Sequence, residues 1–243
     1  MLARWLGLED PWNVLSYSWS IPVSPFIEQL VVKQVKSWRP DHHIICPQGR
    51  EALKRWGLYD DLDWSLEPSI LAWHIATDVY LHWYKEQAED NEDQQADLAK
   101  AVEALSNYML FLLAARPDML PPPTRRNVYV ETCYWLTGLQ YRDAKGLVER
   151  LQDYGTTPLQ QQPPNWGRGT PIGVVLGQKL IGEDIGTTTG EMLQLIVEVW
   201  AEMLCYVGNG CSAYSHAKQL ANGGELITIA ALLILHVKNS AIS

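Results

Sequence analysis

In LAKAVEALSNYMLFLLAAR, residues 98–116, Leu98, Val102, Leu105, Met109 and Leu112 recur at three- and four-residue intervals. That spacing puts them on one face of an α-helix; a strand would need apolar residues at every second position. The same helical period runs through almost the whole chain, and no pair of alternating, strand-like segments interrupts it. Local signals agree with the period. SPFIEQLVVKQVKSW opens with Ser24 as N-cap and Pro25 at the first helical position, where a missing N–H costs nothing. GREALKRWGL reads as a short helix stopped by Gly57, and Pro68 opens a long helix over ILAWHIATDVYLHWYKE. Pro117 and Pro121–Pro123 end the helix of the opening stretch, and RRNVYVETCYWLTGLQ and DAKGLVERLQDYG read as two more. TTGE at 188–191 matches a capping box, with Thr188 as N-cap and Glu191 reaching back to its N–H. The expected fold is all-α: an irregular multi-helix bundle, either continuous or split into two helical subdomains. Residues 1–154 form the N-terminal helical region. Residues 155–171, GTTPLQQQPPNWGRGTP, are a Gly/Pro/Gln-rich linker or loop, and 172–243 are a C-terminal helical region packing on the first.

Composition narrows the classes of function. The chain has 243 residues, 47% hydrophobic and 19% charged, enough to bury a sizeable core. Its net charge of −9 repels phosphate backbones, so nucleic acid is not an expected partner. Eleven Trp and eleven Tyr stand against two Phe, and their polar edges favour the core boundary or an interaction surface. The start of the chain, MLARWLGLEDPWNV, shows no apolar secretory core. Cys46, Cys133, Cys205 and Cys211 are sparse and irregularly spaced, as reduced thiols in the cytoplasm would be. The longest apolar run, LITIAALLIL at 226–235, is about half the roughly 20 residues that a membrane span requires, and reads as a buried core helix.

Chemistry, if present, lies with the polar residues of the long helix. His74, Asp78, His82 and Lys85 share one sector of the helical wheel with Glu67, interrupted by Leu71, while Trp73, Ile75, Val79, Tyr80 and Trp83 largely occupy the others. Such a stripe can face water with an i,i+4 His–Asp pair, form a buried structural network, or line a site. The polar groups that could meet it across a bundle include Asn107, in an otherwise apolar run, Glu131, Glu198, Glu202 and His216. The candidate cluster is therefore His74, Asp78, Asn107, Glu202 and His216.

No catalytic residue is assigned, and no metal or cofactor is expected. A di-iron bundle needs Glu-x-x-His, whereas Glu198 and Glu202 are four apart and Glu131 is followed three residues later by Tyr134. Cys205, Cys211 and His216 lack zinc-site spacing. There is no G-x-S-x-G elbow. GTPIGVVLGQKL has glycines near a lysine but no Gly-Lys-Ser/Thr. The helix start at IGTTTGE could hold an anion, or simply be capped.

Three ordered blocks carry a family resemblance: ILAWHIATDVYLHWY, LSNYMLFLLAARPDMLP and VEVWAEMLCYVGNGCSAYSHAKQLANGGELIT. With GLEDPWNVLSYSWSIPVS and GREALKRWGL before them, they resemble a plant family expanded in grasses, a domain-of-unknown-function family in which DUF4220 is followed by a C-terminal DUF594. Members of that family resemble multi-pass membrane proteins with spans before this segment. The resemblance implies a soluble C-terminal portion without those spans, as a short paralogue or a truncated gene model. It transfers no reaction and no catalytic residue. The expected function is a non-enzymatic interaction or regulatory module with another protein as partner. It would be cytoplasmic or peripheral to a membrane, contacting the membrane only as the family resemblance implies. The alternative is a small-ligand- or metal-binding, enzyme-like bundle using the His/Asp/Glu cluster.

Overall fold

In this computed structural model the described residues are 25–37, 49–55, 65–87, 93–123, 127–138, 146, 149–150, 170–182, 188–220 and 226–240. Among them lie nine α-helices and no strand: α1 (Pro25–Ser37), α2 (Arg50–Arg55), α3 (Leu66–Gln87), α4 (Asp93–Ala115), α5 (Asn127–Gly138), α6 (Thr170–Ile181), α7 (Thr189–Gly210), α8 (Ala213–Leu220) and α9 (Leu226–Ser240). A 3₁₀ turn, Pro117–Met119, follows α4. The protein is an all-α multi-helix bundle. Ser24, Gly57, Cys46, most of the 155–171 linker and most of DAKGLVERLQDYG lie outside the described residues.

Two helices organise the bundle. α3 packs against α4, α5 and α6, while α7 packs against α1, α2, α4 and α9. α4 thus lies between the two and touches both. The residues that open the sequence reading explain why: Val102, Leu105, Met109 and Leu112 are all fully buried. They join Ile70 and Tyr80 of α3 and Leu193, Ile196, Trp200 and Met203 of α7 in one hydrophobic cluster. Each such aliphatic side chain contributes about 1.5–3 kcal/mol over an exposed one. Helices from both sides of the 155–171 segment therefore share one core. The Trp200 indole N–H also donates to the Thr77 hydroxyl at 3.0 Å, joining α7 directly to α3 in the interior.

The α3–α6 crossing depends on small residues. Gly173 and Gly177, one turn apart on α6, face Ala72 and Ala76 on α3. A methyl group at Gly173 would stand 2.7 Å from the Ala72 carbonyl oxygen, and one at Gly177 would stand 2.9 Å from Val79 Cβ. Two backbones approach this closely only where both partners lack bulk.

Three details differ from the sequence reading. α3 begins at Leu66, two residues before Pro68. Proline is accommodated there because the first turn of a helix has no intrahelical acceptor for its N–H groups. Glu67, placed on the polar stripe, is buried. Finally, Gln95–Ala115 is long and apolar enough to cross a membrane by length and composition, which the longest uninterrupted apolar run did not disclose. In the bundle its apolar face is core, and its outer face carries the pairs Lys100–Asp97 (3.1 Å) and Lys85–Glu103 (3.4 Å).

Candidate functional site

Four of the five residues of the candidate cluster occupy three separate places, and Asn107 joins none of them. His74 and Asp78 meet α4. His74 Nδ1 lies 2.9 Å from Ser106 Oγ, and its Nε2 lies 3.5 Å from Asp78 Oδ2. The Asp78 carboxylate can only accept, so in the neutral ring Nε2 carries the proton and Nδ1 accepts from the Ser106 hydroxyl. Asn107, the next residue along α4, is exposed. Protein packed around Asp78 raises its carboxyl from the ordinary value, with His74 opposing the rise. That side chain is nonetheless 53% exposed, so water limits the effect and the carboxylate stays a surface group.

A hydroxyl, an imidazole and a carboxylate in series are the parts of a nucleophilic triad. Ser106 is 1% exposed, leaving no approach for a substrate. It also sits inside α4, where the neighbouring backbone N–H groups are spent on the helix and none can stabilise an oxyanion. The arrangement can hold α3 to α4; it cannot transfer an acyl group.

Glu202 is the second place. It is 3% exposed in the middle of α7, and its two oxygens accept from the backbone N–H groups of Glu51 (3.2 Å) and Ala52 (3.0 Å). The carboxylate of α7 thus caps the first turn of α2, satisfying donors that the helix itself cannot. Burial raises the Glu202 carboxyl from its ordinary value, and the two backbone donors offset only part of that. Gly49 makes the approach feasible: its φ is +73°, and a Cβ there would lie 2.5 Å from Val199 Cγ1. One turn earlier, Glu198 accepts Gln194 at 3.0 Å and pairs with Lys33 (3.6 Å) and Arg55 (3.3 Å).

His216 is the third. Its Nε2 donates to the Gly208 carbonyl at 2.8 Å, one of the last-turn acceptors of α7, and its Nδ1 lies 3.2 Å from Thr228 Oγ1. One imidazole on α8 therefore joins α7 to α9. Nearby, Ser215 Oγ donates to the Asp118 carbonyl at 2.7 Å, and the Tyr108 hydroxyl accepts from Ile227 N at 3.2 Å. Polar residues between these helices act as ties. Among the described residues no group of three His, Cys, Asp or Glu could hold a metal ion.

Two further groups, Glu191 and Cys205, are also accounted for by the fold. Glu191 places its own carboxylate at the start of α7, accepting from Thr188 N at 2.8 Å while Glu191 N donates to Thr188 Oγ1 at 3.3 Å. The anion-holding position read from IGTTTGE is filled from within. Burial pushes the Cys205 thiol up to about 12, which keeps it protonated and unreactive at neutral pH.

Two features escaped the sequence reading. Ser106 was passed over for its neighbour. The run 226–235, read as a buried helix, is buried on one side only: Ile227, Ala230 and Ile234 face the core, while Ile229, Leu232 and Leu235 are 50%, 49% and 54% exposed. Trp73, Trp83 and Trp200 do not make a comparable surface. Trp73 and Trp200 are buried and Trp83 is half-buried.

No curated protein and no solved structure matches this chain. Residues 186–238, the stretch that holds α7, α8 and most of α9, match the family model described as "Protein of unknown function, DUF594".

Proposed function

We propose that the protein is a non-enzymatic helical module that docks another protein through the outward face of α9. The observation that carries this reading is the row Ile229, Leu232 and Leu235, three aliphatic side chains at three-residue intervals, each about half exposed. Aliphatic residues at that spacing on an exposed helix suit a partner helix laid alongside. The thiols Cys205 and Cys211, which form no disulfide, support a reducing, cytoplasmic setting. The blocks at 70–84 and 105–121 support extending the family likeness from DUF594 to the plant DUF4220–DUF594 arrangement.

The test is site-specific photocrosslinking in cells. A photoreactive residue at Leu232 is expected to trap one or a few defined proteins, and the same residue at exposed Asn107 is expected not to trap them. Equal adducts at the two positions, or none at 232, would sink the docking role of α9. Leu232→Glu is expected to leave the melting temperature within a degree or two and to remove the adducts of a crosslinker at 229. It changes a half-exposed position, where substitutions are usually worth less than about 0.5 kcal/mol.

A further inference from the structure

α2 has six residues, far below the roughly 12–15 that an isolated helix needs in water, so its order comes from what it docks on. Its apolar anchoring is slight: Ala52 is buried and Leu53 half-buried. Its polar anchoring is at both ends. Glu202 holds the N–H groups of Glu51 and Ala52, and Glu198, one turn away on the same helix, holds the Arg55 guanidinium. Between the two carboxylates, Val199 lies against the Gly49 backbone. Two acids on α7 thus grip the two ends of one short helix.

We infer that α2 is a releasable strap: residues 49–55 detach from α7 as a unit while the bundle stays folded, uncovering Glu198, Val199 and Glu202. The balance of forces favours this order of events. Release forfeits little apolar burial, whereas separating α3, α4 and α7 would expose the whole core. Release also returns a buried carboxylate to water, which offsets part of the lost hydrogen bonding. The uncovered strip of α7 is acidic with an apolar centre.

Hydrogen exchange on the full chain, read by NMR at single residues, tests the inference. The reporters are the amides of Glu51 and Ala52, bonded to Glu202, and of Leu53, which donates to the Gly49 carbonyl at 2.9 Å. They are expected to exchange through an opening at least about a hundredfold more frequent than that of the Leu105 and Ile196 amides. Arg55→Ala, at a half-exposed position, is expected to speed the reporters several-fold. Glu202→Ala is expected to speed them by about tenfold or more. Ile70→Val, a core truncation on α3, is expected to speed the core amides several-fold and to leave the reporters unchanged, because the strap opens with that contact intact. Reporters that exchange at the core rate in the wild type would overturn the strap. So would an Ile70→Val variant that accelerates core and reporters by the same factor, and that conservative variant decides the matter even if Glu202→Ala fails to fold.

Discussion

At the scale of single residues, α7 carries two carboxylates whose titrations act in opposite directions. Burial raises Glu202 above 4.5, so the folded state holds its proton more tightly than the unfolded chain does. The stability linked to that proton is complete below about pH 4.5 and is lost as pH rises through the raised value. Glu191 is lowered, chiefly by the Thr188 backbone hydrogen bond. Its contribution is present above about pH 4.5 and fades as pH falls through the lowered value. Urea midpoints measured from pH 4 to pH 8 separate the two. Glu202→Gln is expected to flatten the decline on the alkaline side of 4.5, and a variant profile parallel to the wild type would contradict the assignment. Glu202→Ala leaves two N–H groups without acceptors and is expected to cost about 2 kcal/mol. What the sequence discloses at this scale is uneven. The Thr188–Glu191 box was legible because both partners lie within four residues. Ser106 was not, because one step along α4 turns the side chain by about 100°, enough to exchange a buried hydroxyl for an exposed amide. Glu202 looked like a site residue because an acid in an apolar run is conspicuous; the N–H groups that it accepts from lie some 150 positions away in sequence.

Individual helices show which glycines are structural. Replacing glycine by alanine in a helix gains up to about 1 kcal/mol of backbone entropy, provided that the methyl group has room. At Gly173 and Gly177 it has none, since the nearest atoms are the Ala72 carbonyl and the Val79 side chain. Overpacking costs about 1–3 kcal/mol, so Gly173→Ala is expected to lower the melting temperature by several degrees, and Gly177→Ala likewise. Gly190 supplies the control. The nearest atom to a methyl there is Gln95 Nε2 at 3.6 Å, an ordinary contact, so Gly190→Ala is expected to be neutral or slightly stabilising. Melting curves of the three variants in one buffer decide it, and a loss at Gly190 as large as that at Gly173 would mean that the close crossing is not the cause. Helix type was readable from period and breakers, because those signals are local. The glycine pair in GVVLG was weighed only as a phosphate loop. Its role requires knowing that Ala72 and Ala76, about a hundred positions earlier, supply the opposite face. α9 shows the same limit: LITIAALLIL is apolar all round, so its composition does not say which side stays outside.

For the molecule as a whole, the decisive fact is that the segment 155–171 does not separate two cores. α6 buries its glycine face on α3, which comes from the other side of that segment, and α7 buries Leu193, Ile196 and Met203 with Leu105, Met109 and Leu112 of α4. Removing residues 1–169 would strip α6 of its neighbour and leave α7 with only α9 among its major neighbours, besides exposing the partner-facing side of Trp200. A remnant of 74 residues (170 to 243) is already near the size at which one core gives only a few kcal/mol. Cooperative unfolding should therefore belong to the chain and not to its parts. The whole protein is expected to melt in a single calorimetric transition centred on the shared core, and residues 170–243 alone are expected to show no sharp transition, although circular dichroism will still report some helix. The match at 186–238 sharpens the test, because that stretch begins just before the α7 N-cap and ends within α9. A cooperative transition in 170–243 alone would mean that α7, α8 and α9 are self-sufficient, tied by His216 and closed at Gly208. The absence of one would mean that the matched stretch is completed by α3 and α4, so that the α9 face is presented by the full bundle and not by three helices on their own.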